Sequence, residues 1–173
     1  EWDDMDIETL LSKNDLEARW HFNIPALTRQ VSGVNAGHLI EIGARPNTGK
    51  TSFHASMLVG PNGMARQGAK CVVLCNEESY DRVAFRYIQA STGFPKEKIQ
   101  ANIQEAKSIY QDITKNVKIK DVSGEDMTWV ETMCKSERPD IVVLDMGDKF
   151  ARQGSYSRPD EMLKANAIYA RQI

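Results

Sequence analysis

The sequence contains no apolar run approaching the ~20 residues that span a bilayer, and no signal peptide opens the chain. These two absences predict an intracellular, cytoplasmic protein and no membrane partner. An excess of basic charge is also missing, because 22 Lys and Arg stand against 24 Asp and Glu and the net charge is -2. A globally basic nucleic-acid-binding surface is therefore excluded, and any such binding must come from a local patch or from assembly.

Cysteine is scarce, with three copies at Cys71, Cys75 and Cys134. Cys71 and Cys75 lie in one apolar segment, without the spacing or the nearby histidines of a metal site. Packing in the core is therefore the favoured interpretation of both side chains.

The composition and the alternation of strand-like and helical segments indicate an α/β protein. A chain of 173 residues with 41% hydrophobic and 27% charged residues can bury a core as one domain. Strand-like segments occupy residues 38–42 (HLIEI), 71–75 (CVVLC), 117–122 (VKIKDV) and 141–145 (IVVLD). Helical patterns lie between them, the clearest over residues 96–114, and a second helix near Trp129 has Ser123 as its expected cap. This alternation predicts a parallel sheet with helices on both faces.

Residues 3–14 (DDMDIETLLSKN) predict a separate acidic helix with a narrow apolar stripe at Ile7, Leu10 and Leu11. Two interpretations of this helix are equally favoured by the pattern. One is a solvated helix that lies on its own domain, and the other is an arm that docks onto a neighbouring subunit.

A phosphate-binding loop follows the first strand-like segment. Residues 44–51 (ARPNTGKT) fit the pattern [AG]-x-x-x-x-G-K-[ST], with strand before and helix after, which is the context that the motif requires. The amides of the loop converge on phosphate oxygens, Lys50 supplies a charge for the terminal phosphates, and the Thr51 hydroxyl suits Mg²⁺. The expected ligands are ATP or another nucleoside triphosphate, with Mg²⁺. The binding residues are predicted to be Ala44, Arg45, Pro46, Asn47, Thr48, Gly49, Lys50, Thr51 and Ser52.

Carboxylates end two further strand-like segments. Asp145 closes IVVLD, the position from which a carboxylate reaches Mg²⁺ through water. Glu77 and Glu78 follow CVVLC, where they point into the crevice that holds ligands in open α/β sheets. Glu77 is predicted to be the general base that polarises the attacking water, whereas an acidic helix start is the alternative for both residues and is favoured for Glu78.

Together these motifs resemble the DnaB-type hexameric replicative helicases, phage primase-helicases included. The resemblance rests on GVNAGHLIEIGARPNTGKTSF, on VVLCNEESYDRVAFR and on IKDVSGEDMTWVETM with RPDIVVLDMGD. It implies a RecA-like P-loop ATPase motor over residues 31–173, preceded by a linker and docking helix over residues 1–30. It also implies catalytic roles for Glu77 and Lys50 and Mg²⁺ roles for Thr51 and Asp145. Arg86 falls where bacterial members tend to carry arginine, and a surface ion pair is its alternative role.

The same resemblance places a sensor strand and an arginine finger after the point where this sequence ends. The sheet is therefore expected to be incomplete at the C-terminal side, and the 173-residue chain is expected to bind nucleotide but to hydrolyse it poorly.

The family also implies a homohexameric ring around single-stranded DNA, joined through the N-terminal helix, with primase as a further partner. The segment after the Asp145 strand is the implied DNA contact, through Lys149, Arg152 and Arg158, although by composition alone it is equally an ordinary surface loop. The implied function is ATP-driven translocation along single-stranded DNA and unwinding of duplex.

Two other functions fit the same motifs. A RecA-like recombinase or recombination mediator would form an open filament instead of a closed ring. A KaiC-like nucleotide switch would assemble with ATP but show neither DNA-stimulated hydrolysis nor unwinding.

Overall fold

The computed structural model describes residues 7, 8, 18–146, 150, 161, 164, 165, 167 and 168. The helices are α1 (Pro25–Val31), α2 (Lys50–Val59), α3 (Tyr80–Thr92), α4 (Lys96–Ala101), α5 (Ile103–Thr114) and α6 (Met127–Glu137). The strands are β1 (Cys71–Cys75), β2 (Val117–Asp121) and β3 (Ile141–Asp145). Of the predicted N-terminal helix, Ile7 and Glu8 are described; both are helical, and the Ile7 side chain is exposed. None of the described helices is long and apolar enough to cross a membrane.

The three strands form a parallel sheet in the order β2-β1-β3. Cys71 at the start of β1 pairs with Val117 and with Ile141, so all three strands begin at one level. Because parallel neighbours need crossover connections, helices separate the strands along the chain. The predicted α/β class with a parallel sheet is confirmed.

The central strand β1 is buried on both faces, and its side chains alternate between two apolar clusters. Cys71, Val73 and Cys75 pack in the cluster that includes residues of α2, α3 and α5, whereas Val72 and Leu74 pack in the cluster of α6. The period of two along a strand produces this division. Burial raises the pKa of Cys71 and of Cys75 to about 12 each, so both thiols stay protonated. The prediction that these cysteines are core residues is confirmed.

The predicted strand over residues 38–42 is wrong. These residues adopt no regular structure, and Leu39, Ile40 and Ile42 are 41%, 48% and 46% exposed. A strand forms only where a neighbour satisfies its backbone N–H and C=O groups. Among the described residues, β3 is paired along one edge, with β1, and no segment pairs with residues 38–42. Apolar, β-branched sequence alone therefore did not determine the structure of this segment.

The single helix predicted over residues 96–114 is two helices. Asn102 separates α4 from α5 with a non-helical backbone (φ -131°, ψ 52°), and its Nδ2 donates to the Lys98 carbonyl at 3.2 Å. Asparagine competes in this way with helical hydrogen bonding, which the apolar spacing does not reveal. The break leaves Ile103 exposed, while Ala106 and Ile113 remain buried.

The expected cap of α6 is also corrected. Asp126, not Ser123, is the N-cap, and its Oδ1 accepts the backbone N–H of Trp129 at 2.9 Å. Ser123 instead donates its N–H and its hydroxyl to Asp121 Oδ1 in the turn after β2.

Replacing the two residues separately tests this assignment. Asp126→Ala should lower the free energy of unfolding by about 1 kcal/mol, because an orphan amide of α6 loses its acceptor. Ser123→Ala should cost within about 0.5 kcal/mol, as an exposed turn residue. Urea denaturation of both variants measures the difference, and a larger loss for Ser123→Ala would contradict the cap seen here.

Candidate nucleotide-binding site

The phosphate loop of residues 44–49 is exposed and ends in a helix N-terminus. The backbone N–H and the hydroxyl of Thr48 both donate to the Arg45 carbonyl, at 3.3 Å and 2.6 Å, and this closes a turn. Gly49 precedes α2 at φ 96°, a conformation that side chains rarely adopt, and no side chain caps the helix. The first amides of α2 are therefore available to an anion at the positive end of the helix dipole.

The first turn of α2 carries three of the predicted binding residues in three different environments. Ser52 is exposed, Lys50 is half-buried and Thr51 is buried. Lys50 Nζ lies 3.3 Å from the Met146 sulfur, just past the end of β3. Because a thioether is a weak acceptor, this contact competes poorly with phosphate oxygens for the ammonium.

Thr51 of α2 forms a hydrogen bond with Asp145 at the end of β3. The Thr51 hydroxyl donates to Asp145 Oδ2 at 3.2 Å, although 94 positions separate the two residues in the sequence. The neighbouring His54 ring, the Thr51 hydroxyl and the Lys50 charge hold the pKa of Asp145 below its ordinary value, against the burial that raises it. Asp145 is therefore an ionised carboxylate in a buried position, next to a hydroxyl. Hydroxyl and carboxylate oxygens are the hard ligands that Mg²⁺ prefers, so this pair fits a magnesium site.

The two adjacent glutamates after β1 differ in their surroundings. Glu77 is exposed, at the same edge of the sheet as Asp145, since Cys75 pairs with Asp145 in the register. Glu78 forms an ion pair with Arg86, with 2.6 Å between Oε2 and Nη1. Arg86 thus takes the ion-pair role that was its alternative interpretation, and the pair fixes Glu78 against α3.

Two residues that the sequence did not single out complete the buried part of the site. His54 of α2 and Tyr87 of α3 lie in contact behind Asp145, with the His54 Nδ1 2.8 Å from the Tyr87 hydroxyl. The signal in the sequence is weak: His54 follows Thr51 by three positions, which puts both on one face of a helix. A lone histidine on an apolar face would ordinarily be assigned to the core.

The predicted DNA-contact residues Lys149, Arg152 and Arg158 lie outside the described residues. Near them, Phe150 is described, and it is fully buried in the cluster of α6 and the even-numbered side chains of β1.

The arrangement combines an exposed loop that leads into an uncapped helix, a lysine, a hydroxyl beside a carboxylate and a second carboxylate at the carboxyl ends of parallel strands. A comparison with curated protein sequences gave no significant match. A family model for the DnaB-like helicase C terminal domain, in contrast, matches residues 21–155, which include the loop, both strand-end carboxylates and all three strands. The match covers well over half of the chain, so the protein belongs to the DnaB-like helicase C-terminal domain family.

Proposed function

We propose that the protein binds a nucleoside triphosphate with Mg²⁺ at this site and hydrolyses it to move along single-stranded DNA. Unwinding of duplex as part of a homohexameric ring is the proposed outcome. The family to which the chain belongs supports the helicase and NTPase class. The residues of the site support the specific roles proposed below.

One observation carries the nucleotide-binding part of the proposal, the contact between Thr51 and Asp145. It joins the helix that follows the phosphate loop to the end of β3, so that an anion site and a pair of hard oxygen ligands adjoin one another. A magnesium ion bound there would neutralise charge on the transferred phosphoryl group. In this proposal the loop amides and Lys50 orient the phosphates, while Thr51 and, through water, Asp145 hold the ion.

Glu77 is proposed as the general base for hydrolysis. Its exposed position at the edge that also carries Asp145 gives it access to a water molecule beside the terminal phosphate. Glu78 is less suited to reach that water molecule, because Arg86 holds its carboxylate against α3.

The segment after β3 is proposed to contact single-stranded DNA through Lys149, Arg152 and Arg158. Lys149 and Arg152 lie within the residues that the family model matches, and all three cations are spaced through a Gly- and Ser-bearing sequence. A ring repeats the same segment around one strand, so a net charge of -2 in each chain does not oppose DNA binding.

Lys50→Ala should abolish tight nucleotide binding and leave the fold intact, because the half-buried ammonium donates to a thioether, which is a weak acceptor. Titration with a fluorescent ATP analogue measures the affinity. Lys107→Ala removes the same charge from an exposed position of α5 and serves as the control. Equal affinity in the Lys50→Ala variant and the parent would refute the phosphate-loop assignment.

Glu77→Gln in the assembled protein should keep binding of Mg²⁺ and ATP but lower turnover by about 10²-fold or more, since an amide cannot take the proton. Glu78→Gln is the matched control and should lower turnover far less. Steady-state phosphate release measures both. A greater loss at Glu78 would transfer the role of base to that residue.

Replacing Lys149, Arg152 and Arg158 by alanine should weaken binding of single-stranded DNA by the ring and flatten its salt dependence. Each lost phosphate contact lowers the magnitude of the negative slope of log K against log salt by about 0.7. ATP binding without DNA should hardly change.

The control for this variant removes the same charge from Lys96, Lys107 and Lys115, which are exposed on and just after α4 and α5. Fluorescence anisotropy with labelled oligonucleotide at several salt concentrations compares the two variants. If the salt dependence had the same slope in both triple variants, single-stranded DNA would have to bind at another surface.

A further inference from the structure

The residue behind Asp145 is a buried histidine with one ring nitrogen satisfied and the other not. His54 is 6% exposed, and its Nδ1 lies 2.8 Å from the hydroxyl of Tyr87, which is fully buried. Its Nε2 lies 3.6 Å from Asp145 Oδ2 and has no hydrogen-bond partner among the described residues. Since an unsatisfied buried polar atom is costly, this nitrogen requires an explanation.

The hydroxyl of Tyr87 determines which ring nitrogen carries the proton. Burial raises the pKa of Tyr87 well above its ordinary value, so the phenol keeps its proton and can donate it. If Nδ1 accepts from Tyr87, the proton of a neutral ring is on Nε2 and faces the carboxylate. The opposite tautomer would set the Nε2 lone pair against a negatively charged oxygen.

The Nε2–H group therefore acts on Asp145 electrostatically. A separation of 3.6 Å is longer than a formed hydrogen bond. Both side chains are buried, however, with His54 6% and Asp145 5% exposed, and burial strengthens the attraction between a ring N–H and a carboxylate. The same Oδ2 also accepts from the Thr51 hydroxyl, so two groups on one face of α2 orient a single oxygen.

We propose that His54, oriented by Tyr87, is a positioning residue that holds the Asp145 carboxylate in the orientation needed to bind Mg²⁺ with the nucleotide. This inference rests on the proposed nucleotide site and assigns it a supporting group. Partners behind a metal-binding carboxylate typically change metal affinity by about 10- to 100-fold.

Replacing His54 by either of two neutral amides tests the two ring nitrogens separately. The amide nitrogen of glutamine can replace Nε2 and donate to Asp145, whereas asparagine is shorter and offers a polar group only near Nδ1 and Tyr87. His54→Gln should retain the gain in ATP affinity that Mg²⁺ provides over EDTA, and His54→Asn should lose about tenfold of that gain. Affinity in EDTA should be the same in both variants and in the parent.

His21→Asn serves as the control, since His21 is exposed and contacts the Ser32 carbonyl. Circular dichroism and thermal unfolding verify the fold of each variant. If His54→Asn does not fold, Tyr87→Phe, which removes the hydroxyl that orients the ring, should lose part of the Mg²⁺-dependent gain. If His54 only fills space in the core, His54→Gln and His54→Asn should show the same Mg²⁺-dependent gain in ATP affinity. That result would overturn the proposal.

A second readout needs no nucleotide. The ¹⁵N chemical shifts of the His54 ring in the free protein should report the proton on Nε2, and a proton on Nδ1 would overturn the proposal. Failure of the parent itself to bind ATP would refute the proposed function together with this inference. Binding by the parent with an unchanged Mg²⁺ gain in His54→Asn would refute the inference alone.

Discussion

A carboxylate that is ionised and buried must be surrounded by groups that stabilise its charge. Asp145 is 5% exposed at the end of β3, and its partners Thr51 and His54 both come from α2. The position of α2 beside the carboxyl end of β3 meets this requirement. The phosphate loop, which leads directly into α2, is then set at the same edge of the sheet. The buried charge of one side chain therefore favours the position of this loop, together with the apolar packing of α2 in the core.

The sequence was sufficient where the signal is local or follows from the geometry of parallel sheets. The order of loop, glycine, lysine and threonine specified the start of α2, and the apolar segments 71–75 and 141–145 became neighbouring strands. It was insufficient where a distant partner decides the outcome. Residues 38–42 have the composition of a strand but no pairing neighbour, and the contact of His54 with Tyr87 depends on the packing of α2 against α3. Side-chain competition with the backbone, as at Asn102 and Asp126, is also invisible to apolar periodicity.

Glu77 and Glu78 are adjacent in the sequence, but their carboxylates have different surroundings. Glu78 forms an ion pair with Arg86, and Glu77 is exposed. Arg86 lies eight positions after Glu78, two turns into the helix that follows, and fixes that side chain. Glu77 is exposed at the carboxyl end of β1, where Cys75 pairs with Asp145 of β3. The same residue type at consecutive positions therefore has a different exposure and a different position relative to α3.

Asp145 lies on β3. Among the described residues, β3 pairs with one neighbouring strand, β1, whereas β1 pairs with two, β2 and β3. Local opening is easier at a strand paired along one edge than at one paired along both, so we expect backbone amides of β3 to exchange with solvent through lower-energy fluctuations than those of β1. Any ligand that joins α2 to the end of β3 binds the closed form and opposes those fluctuations. Occupancy of the site and the rigidity of β3 are therefore thermodynamically linked, so a bound nucleotide would protect the amides of β3 more than those of β1.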